Sequence, residues 1–325
     1  MVKKALLVGI NYYSTPSARL NGCINDIVGM KNTLIQNYGY TEKDIIVLRD
    51  DINDASRLPT AANIMGYLNA LVYYSANFEE IWVHYSGHGS RIRDTNGDEK
   101  SGLDSVIVPA NFTSVGVITD DYIYNILKNS KTRTVALFDS CNSGTVCDLQ
   151  WSFEYVGGSS FSRSQNNNLA ISNKNIFMIS GSKDTQTSAD IYDTVDKRYE
   201  GAFTNEFLNA LKKYNYSGSI FDIYKQTCNN LSAARYSQKP IFSSSSQTPA
   251  YLFKKITSTT SKLVASNTSG SRTTTFKMVL GGSGGAVARS GGSAPAAARI
   301  TMFVSRARGS GAPSRPRITM AGLLR

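Results

Sequence analysis

The chain reads as an α/β protein with a mainly parallel central sheet flanked by helices, and three observations carry that reading. Short apolar runs alternate with stretches of helical periodicity. Two of the runs, at residues 80–83 and 134–138, are strand-like apolar stretches. Hydrophobic residues make up 41% of 325, enough for one large core or two modest ones.

The elements follow in order. Residues 4–10 predict the first strand. Ile24, Ile27, Val28, Leu34 and Ile35 then mark an amphipathic helix that Gly39 can end. Residues 44–49 predict a second strand, and Ile64, Leu68, Leu71 and Val72 a second helix. Residues 80–85 predict the third strand. Thr119 can cap a third helix over Ile123, Ile126 and Leu127. Residues 133–139 and 175–180 predict two further strands, Phe203, Phe207, Leu208 and Leu211 a fourth helix, and residues 219–234 a fifth.

This pattern divides the chain into a large region, 1–149, and a small one, 175–255. Between them, residues 150–174 carry Gly157-Gly158-Ser159-Ser160 and Gln165-Asn166-Asn167-Asn168 and read as a flexible linker, with Arg163 and Lys174 as candidate self-cleavage points. Residues 256–325 turn to Ser, Thr, Gly, Ala and Arg without apolar periodicity and read as a disordered basic tail.

Charge narrows the function classes. Of the formal +11, ten charges come from Lys and Arg in residues 260–325, which contain no acid, so the body is nearly neutral and a specific nucleic-acid partner is not expected. The four cysteines, Cys23, Cys141, Cys147 and Cys228, lack zinc-site spacing and are too sparse for a disulfide scaffold, which favours a reducing compartment. The apolar run near the N-terminus is too short for a signal-peptide core, and no segment approaches a membrane span. A cytoplasmic location is the expectation.

The chemistry concentrates at predicted strand ends. His84-Tyr85-Ser86-Gly87-His88-Gly89 ends the third strand, and Asp139-Ser140-Cys141-Asn142-Ser143-Gly144 ends the fourth. In parallel sheets ligands bind beyond the carboxyl ends of the strands, so these runs and the pair Cys23 and Asp26 after the first strand belong to one edge. Free cysteine is often only a small buried hydrophobe. The Asn, Ser and Gly after Cys141 suit an exposed turn better than a core. With only two histidines, His88 between glycines is the candidate base, and His84 inside an apolar strand is a sheet residue. The Cys141 and Gly89 amides are candidate oxyanion donors. A zinc-protease helix is rejected, because Tyr85 rather than Glu follows His84 and Gly87 breaks helix.

Together the runs ALLVGINYY, LNGCINDI, HYSGHGS, ITDDYI, LFDSCNSG, SGSKDTQTSAD and GAFTNEFLNALKK resemble the metacaspases, in a type I-like arrangement without a prodomain. The match is ordered and spans the first 255 or so residues. Asn142 stands where the family usually has histidine, and Ser182 where cysteine is common. The resemblance implies the caspase-like fold and a monomeric, calcium-stimulated cysteine endopeptidase acting on proteins or peptides with Arg or Lys at P1. It places Cys23, Asp26, Ser86 and Asp139 in the substrate pocket and Asp104, Asp120, Asp121 and Asp148 at a calcium site. The alternatives are a non-catalytic relative, against which intact Cys141 and His88 argue, and a nucleotide-binding domain, for which Gly9 alone is insufficient. The run Asp94-Thr95-Asn96-Gly97-Asp98 starts like an EF-hand, but Glu99 occupies the glycine position and no Glu closes the loop.

Overall fold

A computed structural model describes residues 2–94, 102–140, 149–168, 170–181, 190–193 and 198–257, with side chains omitted at 190–193 and 198–200. Cys141, Asp148, Cys147, Ser182 and the tail from residue 258 lie outside the described residues.

Strand β1 (Val2–Gly9) leads into helix α1 (Cys23–Tyr38), and β2 (Ile45–Arg49) into α2 (Ala61–Tyr73). Strand β3 (Phe78–Ser86) is followed by β4 (Gly89–Arg93), β5 (Leu103–Ile107), the short helix α3 (Phe112–Val115), β6 (Ile118–Thr119) and α4 (Asp120–Leu127). Next come β7 (Arg133–Asp139), β8 (Trp151–Gly157), β9 (Ser160–Gln165), β10 (Ile176–Ser180), β11 (Asp190–Asp193) and β12 (Arg198–Gly201). The remainder is α5 (Ala202–Lys213), β13 (Gly218–Ser219), α6 (Ile220–Ala233), β14 (Ile241–Ser244) and β15 (Leu252–Phe253).

Eight strands form the central sheet in the order β2-β1-β3-β7-β10-β14-β8-β9. The first five run parallel and the last three pairings are antiparallel. Because β10 pairs with β7, the large and small regions share one sheet. Side chains alternate across it. Leu6, Val8, Val83, Tyr85, Ala136 and Phe138 meet α2 and α4 on one face. Ala5, Leu7, Trp82, Leu137 and Phe177 meet α1, α5 and α6 on the other. The helix ends follow the capping chemistry: Gly39 is left-handed at φ 77°, the Thr60 hydroxyl accepts from the Asn63 amide and Thr119 from Tyr122, and Ser219 with Asp222 closes a capping box.

The linker expectation for residues 150–174 is corrected. Trp151, Phe153 and Tyr155 alternate with polar residues, and β8 and β9 form an antiparallel hairpin closed by Gly157 and Gly158 at positive φ. Phe153 stacks on Phe242, and Phe161 packs on Phe221 and Tyr224. Arg163 is held in β9 over the Trp151 ring rather than in a loose segment. The Gly- and Asn-rich runs are the turn and exit of this hairpin.

At the opposite end of the sheet from the strand-end motifs, buried Glu80 accepts from the Tyr40 hydroxyl at 2.9 Å, the Tyr251 hydroxyl at 3.2 Å and Arg133 Nε at 2.8 Å. Replacing Glu80 by Ala strands two buried hydroxyls, while the partly exposed Arg133 keeps Glu79 as a partner. The expected loss is about 3 kcal/mol, read as a lower urea midpoint.

Candidate active site

The register aligns the carboxyl ends of three adjacent strands: Gly9 lies opposite Ser86, and Ser86 opposite Asp139. Two backbone bonds extend that alignment past the strands, from the Ile10 amide to the Ser86 carbonyl at 3.0 Å and from the Gly87 amide to the Asp139 carbonyl at 3.2 Å. The loops carrying His88 and the chain leading to Cys141 therefore leave the sheet side by side.

His88 is held from three directions. Its amide donates to the Tyr12 hydroxyl at 2.8 Å, its carbonyl accepts from the Tyr85 hydroxyl at 2.7 Å, and its ring lies 4.6 Å from the Tyr12 ring. Nε2 lies 2.8 Å from the Ala18 carbonyl. A carbonyl only accepts, so Nε2 carries the hydrogen and Nδ1 keeps the lone pair, which is the tautomer a base needs. Burial lowers the His88 pKa from the ordinary 6.5, with the Ala18 carbonyl acting the other way, so the resting ring is neutral near pH 7.

The Tyr12 hydroxyl also donates to the Val108 carbonyl at 2.7 Å, and Tyr12 holds this place at the strained φ of 57°. Asp50 fixes the turn by accepting from the Asn11 and Tyr13 amides at 2.9 and 2.8 Å. Gly87 is required here, because a Cβ would sit 2.7 Å from the Tyr85 oxygen and 3.1 Å from the Tyr12 oxygen. The Val108 amide bonds the His88 carbonyl, and Gly89 is the next ladder residue, opposite Ile107. The antiparallel alternation turns the Gly89 amide away from β5.

The pocket residues expected from the sequence do come together. Asp26 and Asp139 are both buried, and Ser86 Oγ donates to Asp26 Oδ2 at 2.6 Å. Buried Cys23 stands one helical turn before Asp26 on α1. Two residues absent from the expected site join them. The Gly201 amide donates to Asp26 Oδ1 at 2.8 Å, and Thr204 donates to Asp139 Oδ2 through its amide at 2.9 Å and its hydroxyl at 2.8 Å. Both belong to the start of α5, within the quoted run GAFTNEFLNALKK. A glycine before, and a threonine within, the first turn of a helical apolar pattern were the available signal.

His84 is fully buried in β3, with Nε2 3.3 Å from Thr204 Oγ1 and no partner for Nδ1 among the described residues. Cys228 is set apart from the site on α6, and burial pushes its thiol up to about 12, so it is a poor nucleophile.

The acids expected at a cation site lie around β5 and the start of α4. Asp104 and Asp120 are buried, and Asp120 accepts from the Ser105 amide at 2.7 Å and the Asp121 amide at 2.9 Å. The Ser105–Asp120 bond ties the start of α4 to β5 beside Asp104. All the donors are carboxylate oxygens, the chemistry of a calcium site. Among the described residues no group of three His, Cys, Asp or Glu is arranged to hold an ion, and Asp148 lies outside them.

The family model described as metacaspase, peptidase C14 domain, matches residues 3–150. Metacaspase-1 of Scheffersomyces stipitis is 35% identical over 292 residues, covering 75% of this chain and 70% of the relative. The chain belongs to the metacaspase family. Metacaspase-1 of Saccharomyces cerevisiae is 33% identical over 294 residues and that of Kluyveromyces lactis 36% over 290, each alignment covering 75% of this metacaspase. It spans 66% of the length of either relative, just under two thirds. Among solved structures, caspase-1 from Spodoptera frugiperda aligns at a TM-score of 0.49 and 11% identity, covering 78% of this chain and 92% of that one. No helix among the described residues of this metacaspase is long and apolar enough to cross a membrane.

Proposed function

We propose that the chain is a calcium-stimulated cysteine endopeptidase that cleaves after Arg or Lys through a Cys141–His88 dyad. The observation that carries the proposal is the tautomer of His88: Nε2 bound to the Ala18 carbonyl leaves Nδ1 as the proton acceptor, two residues past the end of the strand beside the one that leads into Cys141.

In this reading Nδ1 takes the Cys141 proton and the thiolate attacks the scissile carbonyl carbon. The amides of Gly89 and Cys141 receive the developing oxyanion. The His88 imidazolium then gives its proton to the leaving amine as the C–N bond breaks. Water, deprotonated by the same Nδ1, hydrolyses the thioester and restores the thiol. Buried Asp26 and Asp139 supply negative charge that suits a guanidinium or ammonium at P1. The test is cleavage of Arg, Lys and Asp reporter peptides with and without calcium. Preference for Arg and Lys is expected, and preference for Asp overturns the specificity.

Asp104, Asp120, Asp121 and Asp148 are the residues that would hold the ion, whose charge offsets their mutual repulsion. Activity is expected to fall in EGTA and to return with Ca²⁺ more than with Mg²⁺, whose octahedral demand is stricter. Calorimetric titration with Ca²⁺ should show binding that weakens at least about tenfold in Asp121→Ala, the loss expected from removing one charged ligand. Unchanged binding in that variant removes these acids from the calcium role.

A further inference from the structure

We infer that the first turn of α5 sets the enzyme's P1 selectivity, with Gly201 and Thr204 as positioning residues that clamp the two pocket carboxylates at the spacing a guanidinium needs. The inference rests on the reading that Asp26 and Asp139 receive the P1 side chain. Those acids come from α1 and from the end of β7, far apart in sequence from α5. Neither element alone determines the distance between them.

The clamp has three parts. The Gly201 amide binds Asp26 Oδ1, while Ser86 Oγ binds Oδ2 of the same group, so both oxygens of Asp26 are directed. Thr204 places two donors, amide and hydroxyl, on one oxygen of Asp139, Oδ2. With its hydrogen committed to Asp139, the Thr204 hydroxyl can only accept from His84 Nε2, which fixes the direction of the hydroxyl from behind. Buried carboxylates need such donors to stay charged, and the start of a helix adds favourable potential.

Position 201 tolerates no side chain. A Cβ there meets Asp139 Oδ2 in an overlap and lies 2.6 Å from Asp26 Oδ2, so the absent methyl is what lets the two carboxylates approach the same backbone atom. The glycine is present for close approach, since Gly201 has an ordinary φ of −71°.

The decisive variant is Thr204→Val, which keeps the shape and the amide and deletes the hydroxyl's charge-assisted bond to Asp139 together with its contact to His84 Nε2. The expected result is a loss of roughly tenfold in kcat/KM for an arginyl reporter, mostly in KM, the size of one hydrogen bond to a charged group. The ratio of arginyl to citrullinyl cleavage should fall with it, because citrulline is the neutral isostere. Thr204→Ser should restore both. Alkylation of Cys141 by iodoacetamide reports the dyad without using the pocket, and its rate should match wild type in both Thr204 variants. Gly201→Ala should lose the same selectivity more severely. Wild-type selectivity in Thr204→Val, or a loss equal for arginyl and citrullinyl reporters, overturns the clamp alone. A wild-type enzyme with no preference for Arg over citrulline overturns the pocket reading and the clamp with it.

Discussion

His88→Ala is expected to lower kcat for an arginyl reporter by about a thousandfold, within the range general acid–base groups contribute, and Cys141→Ala by at least as much. The two losses should not add in the double variant, since thiol and imidazole act as one unit. His88→Ala leaves the Ala18 carbonyl without its donor but keeps the His88 amide on the Tyr12 hydroxyl, so folding should survive. Tyr12→Phe is the informative companion. It removes the acceptor for the His88 amide and the donor to Val108 without touching the imidazole. A fall of about tenfold in kcat with unchanged KM would place the effect on the position of the base rather than on substrate binding.

The second large effect is on stability rather than turnover. His84 is fully buried, and desolvation lowers its pKa from 6.5 to about 3. The folded state therefore holds it neutral where the unfolded chain already binds a proton. Because the unfolded state binds more protons, stability is full above pH 6.5 and falls as the pH drops toward 3. Each pH unit in that window removes about 1.4 kcal/mol, for a total of about 5 kcal/mol. Urea midpoints measured from pH 7 to pH 4 should fall more steeply for wild type than for His84→Asn, which cannot titrate. Parallel profiles for the two proteins would show that His84 is not held neutral.

The five parallel strands and the five long helices were legible in the sequence, because strands covered on both faces must be apolar throughout and surface helices must repeat every three or four residues. Residues 133–139 predicted a strand with the observed bounds, and Thr119 and Gly39 marked real helix ends. The β8–β9 hairpin was missed because its turn residues were read as a linker while the alternation of Trp151, Phe153 and Tyr155 went unweighed. Strand β4 was missed because a short run in which Ser90, Arg91 and Arg93 surround Ile92 carries little hydrophobic signal. Their places after apolar strands put Asp26, Ser86, Asp139 and His88 at one sheet edge, where the structure has them, while the pocket roles of the first three came from the resemblance. Gly201 and Thr204 were not, since their bonds to Asp26 and Asp139 join residues 175 and 65 positions apart and exist only once α5 packs over the sheet edge. His84 was read as a sheet residue, and so it is, but its contact with Thr204 could not be seen from its own neighbours.

The central claim is that one thiol, paired with one imidazole beside an acidic pocket, performs the chemistry. Its most direct test is labelling of the full chain with a peptidyl-arginine acyloxymethyl ketone, followed by peptide mapping. The account predicts a single adduct at Cys141, formed rapidly in wild type and at least about a hundredfold more slowly in His88→Ala. An adduct on Cys23 or Cys228 instead, or equal labelling rates in wild type and His88→Ala, would contradict it.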